Sequence, residues 1–98
     1  MKNSEVKLVG PVIRGFDQEM IDAVIDAAEQ DNPGREIIVE DYGGYVRIHA
    51  DREFCLTEKS MVQMLGRPFH LTEMEPNLVS FSGRLSSGKK DWVWTLND

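Results

Sequence analysis

The chain has a single cysteine, two histidines and no apolar run longer than a few residues. A lone Cys55 cannot close an intrachain disulfide, so packing must hold the fold together, and an unpaired thiol suits a reducing compartment. A membrane-spanning helix needs ~20 consecutive apolar residues, so no span and no membrane partner are expected. The opening Met1-Lys2-Asn3-Ser4-Glu5-Val6-Lys7 is mixed polar, with no cationic start leading into an apolar stretch, and the expected location is the cytoplasm. Positive charge is also short: eleven basic against seventeen acidic side chains leave a formal net charge of −6. That balance repels a phosphate backbone and argues against nucleic acid as a partner.

The groups that carry out chemistry are missing as well. His49 and His70 are the two histidines, and no Glu-x-x-His spacing occurs, so the paired helical motif of a carboxylate-bridged dinuclear metal site is absent. His49 reads as an outward strand residue and His70 as a loop or capping residue. Cys55 sits inside a short apolar segment with no glycine-rich elbow or helix start to activate it, and reads as a small packed side chain. Asp22, Asp26 and Glu29 fall on the polar face of a helix, where solvated charges are ordinary. Gly43-Gly44 opens no helix after a strand and is read as a turn, not a phosphate cradle. Trp92 and Trp94 alternate around Val93 as core residues of a strand, not as a stacking platform for bases. No catalytic residue, metal ligand or cofactor site is expected, which leaves binding and regulatory functions.

What is present fits one small domain. At 98 residues the chain supports a single core. Residues 1–8 lack periodicity and read as a flexible arm, leaving a domain over 9–98 that opens on a strand at Val9-Gly10-Pro11-Val12-Ile13. Asp17 is placed to cap a helix from about Gln18 to Gln30, with Phe16 packing on Ile21 as a staple and Ile21, Val24, Ile25 and Ala28 forming its apolar stripe. Asn32-Pro33-Gly34 stops it. A hairpin turning at Gly43-Gly44, with positive φ at both glycines, sets Tyr42 against Tyr45, Glu40 against Arg47 and Val39 against Ile48. It has one buried face of Ile37, Val39, Val46, Ile48 and Ala50. Phe54-Cys55-Leu56 forms a third strand, and Thr57 caps a second helix ended by Gly66 and Pro68. Thr72-Glu73-Met74-Glu75 has the form of a capping box limited to about one turn by Pro76. Strands over Asn77–Leu85 and Asp91–Leu96 flank a turn at Ser86–Lys90. The predicted fold is α+β, one compact domain of two βαββ-like halves with antiparallel sheets and two to three helices.

Six ordered blocks carry a resemblance: Val9-Gly10-Pro11-Val12-Ile13-Arg14, Asp31-Asn32-Pro33-Gly34, Ile37 to Asp41, Tyr45-Val46-Arg47-Ile48, Leu65-Gly66-Arg67-Pro68-Phe69 and Asn77-Leu78-Val79-Ser80-Phe81-Ser82-Gly83. In these blocks the chain resembles the effector, or coupling, components of bacterial multicomponent soluble diiron monooxygenases, most of all the toluene and alkene branch. The tail from Ser86 to Asp98 matches less well. The resemblance implies a cofactor-free, non-catalytic regulator, monomeric when free, that binds a separate diiron hydroxylase and raises turnover, coupling and specificity of hydrocarbon oxidation. A ferredoxin and an NADH-dependent reductase complete such a system. An arm that orders on docking would fit it. A small-molecule-sensing or adaptor domain is the alternative, since βαββ units also build those. Tyr45, Arg47, Arg67, Phe69, Asn77 and Ser80 are the candidate partner-binding residues, because they fall in irregular segments, at strand starts or on the outer hairpin face. Each has a structural alternative: Arg47 pairing with Glu40, Phe69 filling the core, Arg67 capping the second helix.

Overall fold

A computed structural model describes residues 6–96. Strand β1 (Leu8–Arg14) leads through a turn into helix α1 (Gln18–Asp31), and β2 (Ile38–Asp41) and β3 (Tyr45–Asp51) form the hairpin. Strand β4 (Glu53–Thr57), helix α2 (Glu58–Leu65), a 3-10 helix (Leu71–Asn77) and strands β5 (Leu78–Ser82), β6 (Arg84–Ser87) and β7 (Asp91–Thr95) follow. All strand pairs are antiparallel, in a four-stranded sheet of order β2-β3-β1-β5 and a three-stranded sheet of order β4-β7-β6. The α+β architecture of two antiparallel sheets is therefore as expected. No helix among the described residues is long and apolar enough to cross a membrane.

The helix signals act through local hydrogen bonds. Asp17 accepts from Met20 N at 3.1 Å, and Thr57 Oγ1 accepts from Ser60 N at 3.2 Å, each satisfying a donor that the first helical turn leaves free. Gly66 takes the left-handed conformation (φ 71°) that ends α2. Met20, Ile21, Ala23, Val24, Ala27 and Ala28 are buried along α1, which packs on β3, β4 and α2. Phe16, in contrast, is 78% exposed and makes no buried staple.

The hairpin register is as predicted: Val39 faces Ile48 and Glu40 faces Arg47, while the Tyr42 and Tyr45 rings stack with centroids 4.9 Å apart. Its burial is not. Val46, Ile48 and Ala50 are buried, but Val39 is exposed, because β2 is an edge strand lying beyond the cover that α1 provides. Of the two turn glycines only Gly43 takes a positive φ (84°). The tip is held by Gly15, whose N–H donates to Gly44 O at 3.0 Å. A Cβ on Gly15 would come within 2.0 Å of Gly43 O, so only glycine permits that approach.

The second half departs further from its sequence reading. The segment read as one strand over Asn77–Leu85 is two strands, divided at Gly83 (φ 93°). β5 joins the first sheet beside β1, and β6 joins the second beside β7, so the two halves share a strand exchange instead of standing apart. Ser86 and Ser87, expected in a turn, end β6. The 3-10 helix runs past Pro76 to Asn77, and its N-cap is His70, whose N–H donates to Glu73 Oε2 at 2.8 Å, so the box is shifted two residues from Thr72. Val79 and Phe81 on β5 are 51% and 41% exposed. Trp92 and Trp94 are buried opposite Leu56 and Phe54, and Phe54 meets Trp94 edge-on at 5.4 Å between centroids. These rings and the inner face of the first sheet form one continuous core.

Residues 1–5 of the proposed arm lie outside the described residues. Its end is tied down: Lys7 N donates to Asp51 Oδ1 at 2.8 Å, Lys7 O accepts from Arg52 N at 2.8 Å, and Leu8 already belongs to β1.

Candidate functional site

The outer face of the four-stranded sheet brings together three of the six candidate residues. Tyr45 and Arg47 on β3 and Ser80 on β5 line one shallow depression with Val12, Val79 and Ser82, with a volume of about 330 Å³. β1 runs between β3 and β5, and Val12 lies opposite both Arg47 and Ser80, so it forms the floor. Arg47 reaches across it to Ser82, donating from Nη2 to Oγ at 3.1 Å. Tyr45 is 42% exposed and forms a rim.

The structural alternative for Arg47, an ion pair with Glu40, is absent although the two residues are directly opposite. Glu40 Oε1 lies instead 3.3 Å from His49 Nε2, without hydrogen-bond geometry. His49 alternates outward on β3 as read from sequence, yet it is 3% exposed, a correction with a local cause. Gly10 (φ 147°) has no side chain, and a Cβ there would lie 2.8 Å from His49 Cα and 2.3 Å from Ile48 O. The bare backbone of Gly10 therefore lets β1 and β3 approach closely beside His49. Burial lowers the pKa of His49 from the ordinary 6.5, against the nearby Glu40 carboxylate that raises it, with Arg47 lowering it further.

The other candidates lie elsewhere. Phe69 is 2% exposed in the core, so the availability on which its candidacy rested is absent. Exposed Arg67 does not cap α2; its guanidinium carbon sits 5.9 Å from the Phe69 ring centroid, and Nη1 reaches Pro68 O at 3.4 Å. Asn77 ends the 3-10 helix just before β5 and is half-buried.

Two polar networks that sequence reasoning missed hold this scaffold. Asn32, read only as a helix stop, donates from Nδ2 to Ala28 O (2.7 Å) and Cys55 O (2.8 Å) and accepts from Cys55 N (2.8 Å). Beside it, Asp31 accepts from Thr57 N (2.7 Å) and Ser60 Oγ (2.6 Å), joining the end of α1 to the start of α2. Glu58, buried at the start of α2, accepts from Leu71 N (3.2 Å) and Lys90 Nζ (3.1 Å). The Lys90 bond lowers its pKa from the ordinary 4.5, against some desolvation and with help from the Leu71 N–H. Burial raises the Cys55 thiol, which Asp31, Asp91 and Glu53 reinforce, so it stays protonated. Among the described residues no group of three or more His, Cys, Asp or Glu side chains is placed to hold a metal ion. The arrangement offers a face of aromatic, hydroxyl and guanidinium groups, which can recognise a surface, and its lining residues form no acid–base or nucleophilic constellation.

Comparison with known proteins sets the whole chain among relatives. The chain is 52% identical over 87 residues to the effector subunit of the alkene monooxygenase system of Xanthobacter autotrophicus, covering 89% of this chain and 84% of that one. Among solved structures, its fold matches a chain from a phenol hydroxylase–regulatory protein complex (TM-score 0.75, 24% identity, 93% of this chain and all of the other). It also matches the regulatory protein B of soluble methane monooxygenase (TM-score 0.67, 21% identity, 99% of this chain and 70% of the other). The six sequence blocks, the 52% identity to an effector subunit and a family model matching residues 7–95 agree: the chain belongs to the MmoB/DmpM family.

Proposed function

We propose that this protein is the effector subunit of a multicomponent alkene monooxygenase system, a non-catalytic component that binds the diiron hydroxylase and raises turnover, coupling and specificity of hydrocarbon oxidation. The observation that carries this reading is the 52% identity to an alkene monooxygenase effector subunit across most of both chains. The docking face is the outer side of the four-stranded sheet, where Tyr45, Arg47 and Ser80 converge, with Arg67 and Asn77 contributing from the segments before β5. The protein is monomeric when free, carries no cofactor of its own and works in the cytoplasm beside a ferredoxin and an NADH-dependent reductase.

Energetically, little is required. An interface of about 800 Å² per partner supports micromolar to nanomolar binding, and a preference of about 1.4 kcal/mol for one hydroxylase conformation shifts its equilibrium tenfold. A preformed sheet face suits this task, since ordering loops on binding would subtract from the affinity.

Sedimentation of the purified protein with the hydroxylase encoded in the same operon tests the reading: a saturable complex is expected, and two independent boundaries at tens of micromolar would refute it. Arg67→Ala should weaken activation while shifting the melting temperature little, because an exposed cation–π contact contributes only about 0.5–1 kcal/mol. A large fall in melting temperature with normal activation would make Arg67 a structural residue.

A further inference from the structure

Arg47 is the only arginine of the described residues that is not exposed. No carboxylate among the described residues lies within 4.0 Å of its guanidinium, and its one hydrogen bond goes to the Ser82 hydroxyl. A guanidinium offers five N–H donors in a planar fork, and a neutral hydroxyl satisfies one of them. The chain has a surplus of acidic groups, seventeen against eleven basic, and one of them stands directly across the hairpin from Arg47. That group, Glu40, is turned toward His49. A partly desolvated cation is thus held on the sheet face with its intramolecular counter-ion diverted.

The surroundings suit one kind of visitor. Val12, Tyr45 and Val79 wall the depression with apolar surface, which strengthens a charge interaction formed inside it. Ser80 and Ser82 place hydroxyl donors on the same side as the guanidinium. At about 330 Å³ the space fits an amino-acid side chain. The net charge of −6 disfavours any polyanion, whereas a single carboxylate presented on a protein surface meets a local positive site.

We propose that the Arg47 depression receives an aspartate or glutamate side chain of the hydroxylase, bound through the two-pronged geometry of guanidinium and carboxylate with the serine hydroxyls at its edge. This rests on the docking reading above and adds to it the chemistry of the contact. Such a pair, formed in a partly desolvated pocket, acts mainly on the dissociation rate and is weakened by salt to the extent that water reaches it.

The test uses the full-length protein and its hydroxylase, with Kd and dissociation rate measured at low and moderate ionic strength. Arg47→Met keeps the aliphatic stem over Val12 and removes the charge; its Kd should rise about ten- to hundredfold, chiefly through faster dissociation, with a flatter salt dependence than wild type. Arg47→Lys keeps the charge without the fork and should lose less, about two- to tenfold. Charge reversal, Arg47→Glu, should abolish tight binding, and lysine in place of the facing hydroxylase carboxylate, located by carboxyl–amine cross-linking to Arg47→Lys, should restore it. If wild type binds but Arg47→Met binds equally well with the same salt slope, the carboxylate inference is overturned and the effector reading stands. If wild type itself does not bind, both fall. Melting curves of the variants separate lost contact from lost fold: a folded Arg47→Met with weakened binding supports the proposal, and weakening that tracks unfolding overturns it.

Discussion

Asn32 shows how one side chain can hold two elements together. Its amide bridges the end of α1 to the backbone of β4 through three hydrogen bonds of 2.7–2.8 Å, and it is buried. Asn32→Ala would strand buried donors and acceptors and should cost about 2 kcal/mol, read by chemical denaturation. A loss below a few tenths would show that water replaces the amide. Sequence reasoning saw only a helix stop there, because partners 23 positions away leave no local signal. His49 escaped for a related reason: alternation gave its direction correctly, but the close strand approach beside it depends on Gly10 in a strand far off in sequence. Because its folded pKa lies below 6.5, the unfolded chain takes up the proton first. Stability should then fall as pH drops through 6.5 and level off below the folded value. His49→Gln should remove that component of the pH dependence; an unchanged profile, or an NMR titration midpoint above 6.5, would contradict the assignment. Glu58 adds a second loss at lower pH, since its lowered pKa makes its stabilisation fade as pH falls below 4.5.

At the scale of elements, the parts governed by short-range chemistry were legible. The Asp17 and Thr57 caps, the hairpin register and the alternating tryptophans each depend on residues within a few positions of one another. The split of β5 from β6 was not, because an alternating apolar pattern reads the same whether or not the strand changes sheets. Gly83 carries that change, with a positive φ and a Cβ position that would lie 2.6 Å from Thr95 O and 2.7 Å from Val9 Cγ1. Gly83→Ala should therefore destabilise by about 1–3 kcal/mol or more. Arg47 placement depends on β5 lying beside β1, so the same variant should weaken hydroxylase binding more than its loss of stability alone accounts for. Unaltered stability would mean that the kink has other support.

For the whole molecule, the sequence blocks that mark the family divide into two kinds. Asp31-Asn32 and Gly10 lock the scaffold, whereas Tyr45, Arg47 and Ser80 stand on its outer face, so likeness in sequence reflects both architecture and surface. Three of six candidate contact residues converge, and Phe69 takes the core position that the sequence left open beside the contact reading, because an apolar residue after Pro68 looks alike in loop and core. An effector that works by contact should contain no stoichiometric iron or zinc, which elemental analysis checks directly. The most direct test is reconstitution: hydroxylase, ferredoxin and reductase from the same operon, with alkene and NADH, assayed for epoxide formed and NADH consumed. Adding this protein should raise both the rate and the epoxide formed per NADH, saturating with its concentration. Equal rate and equal yield with and without it would contradict the account.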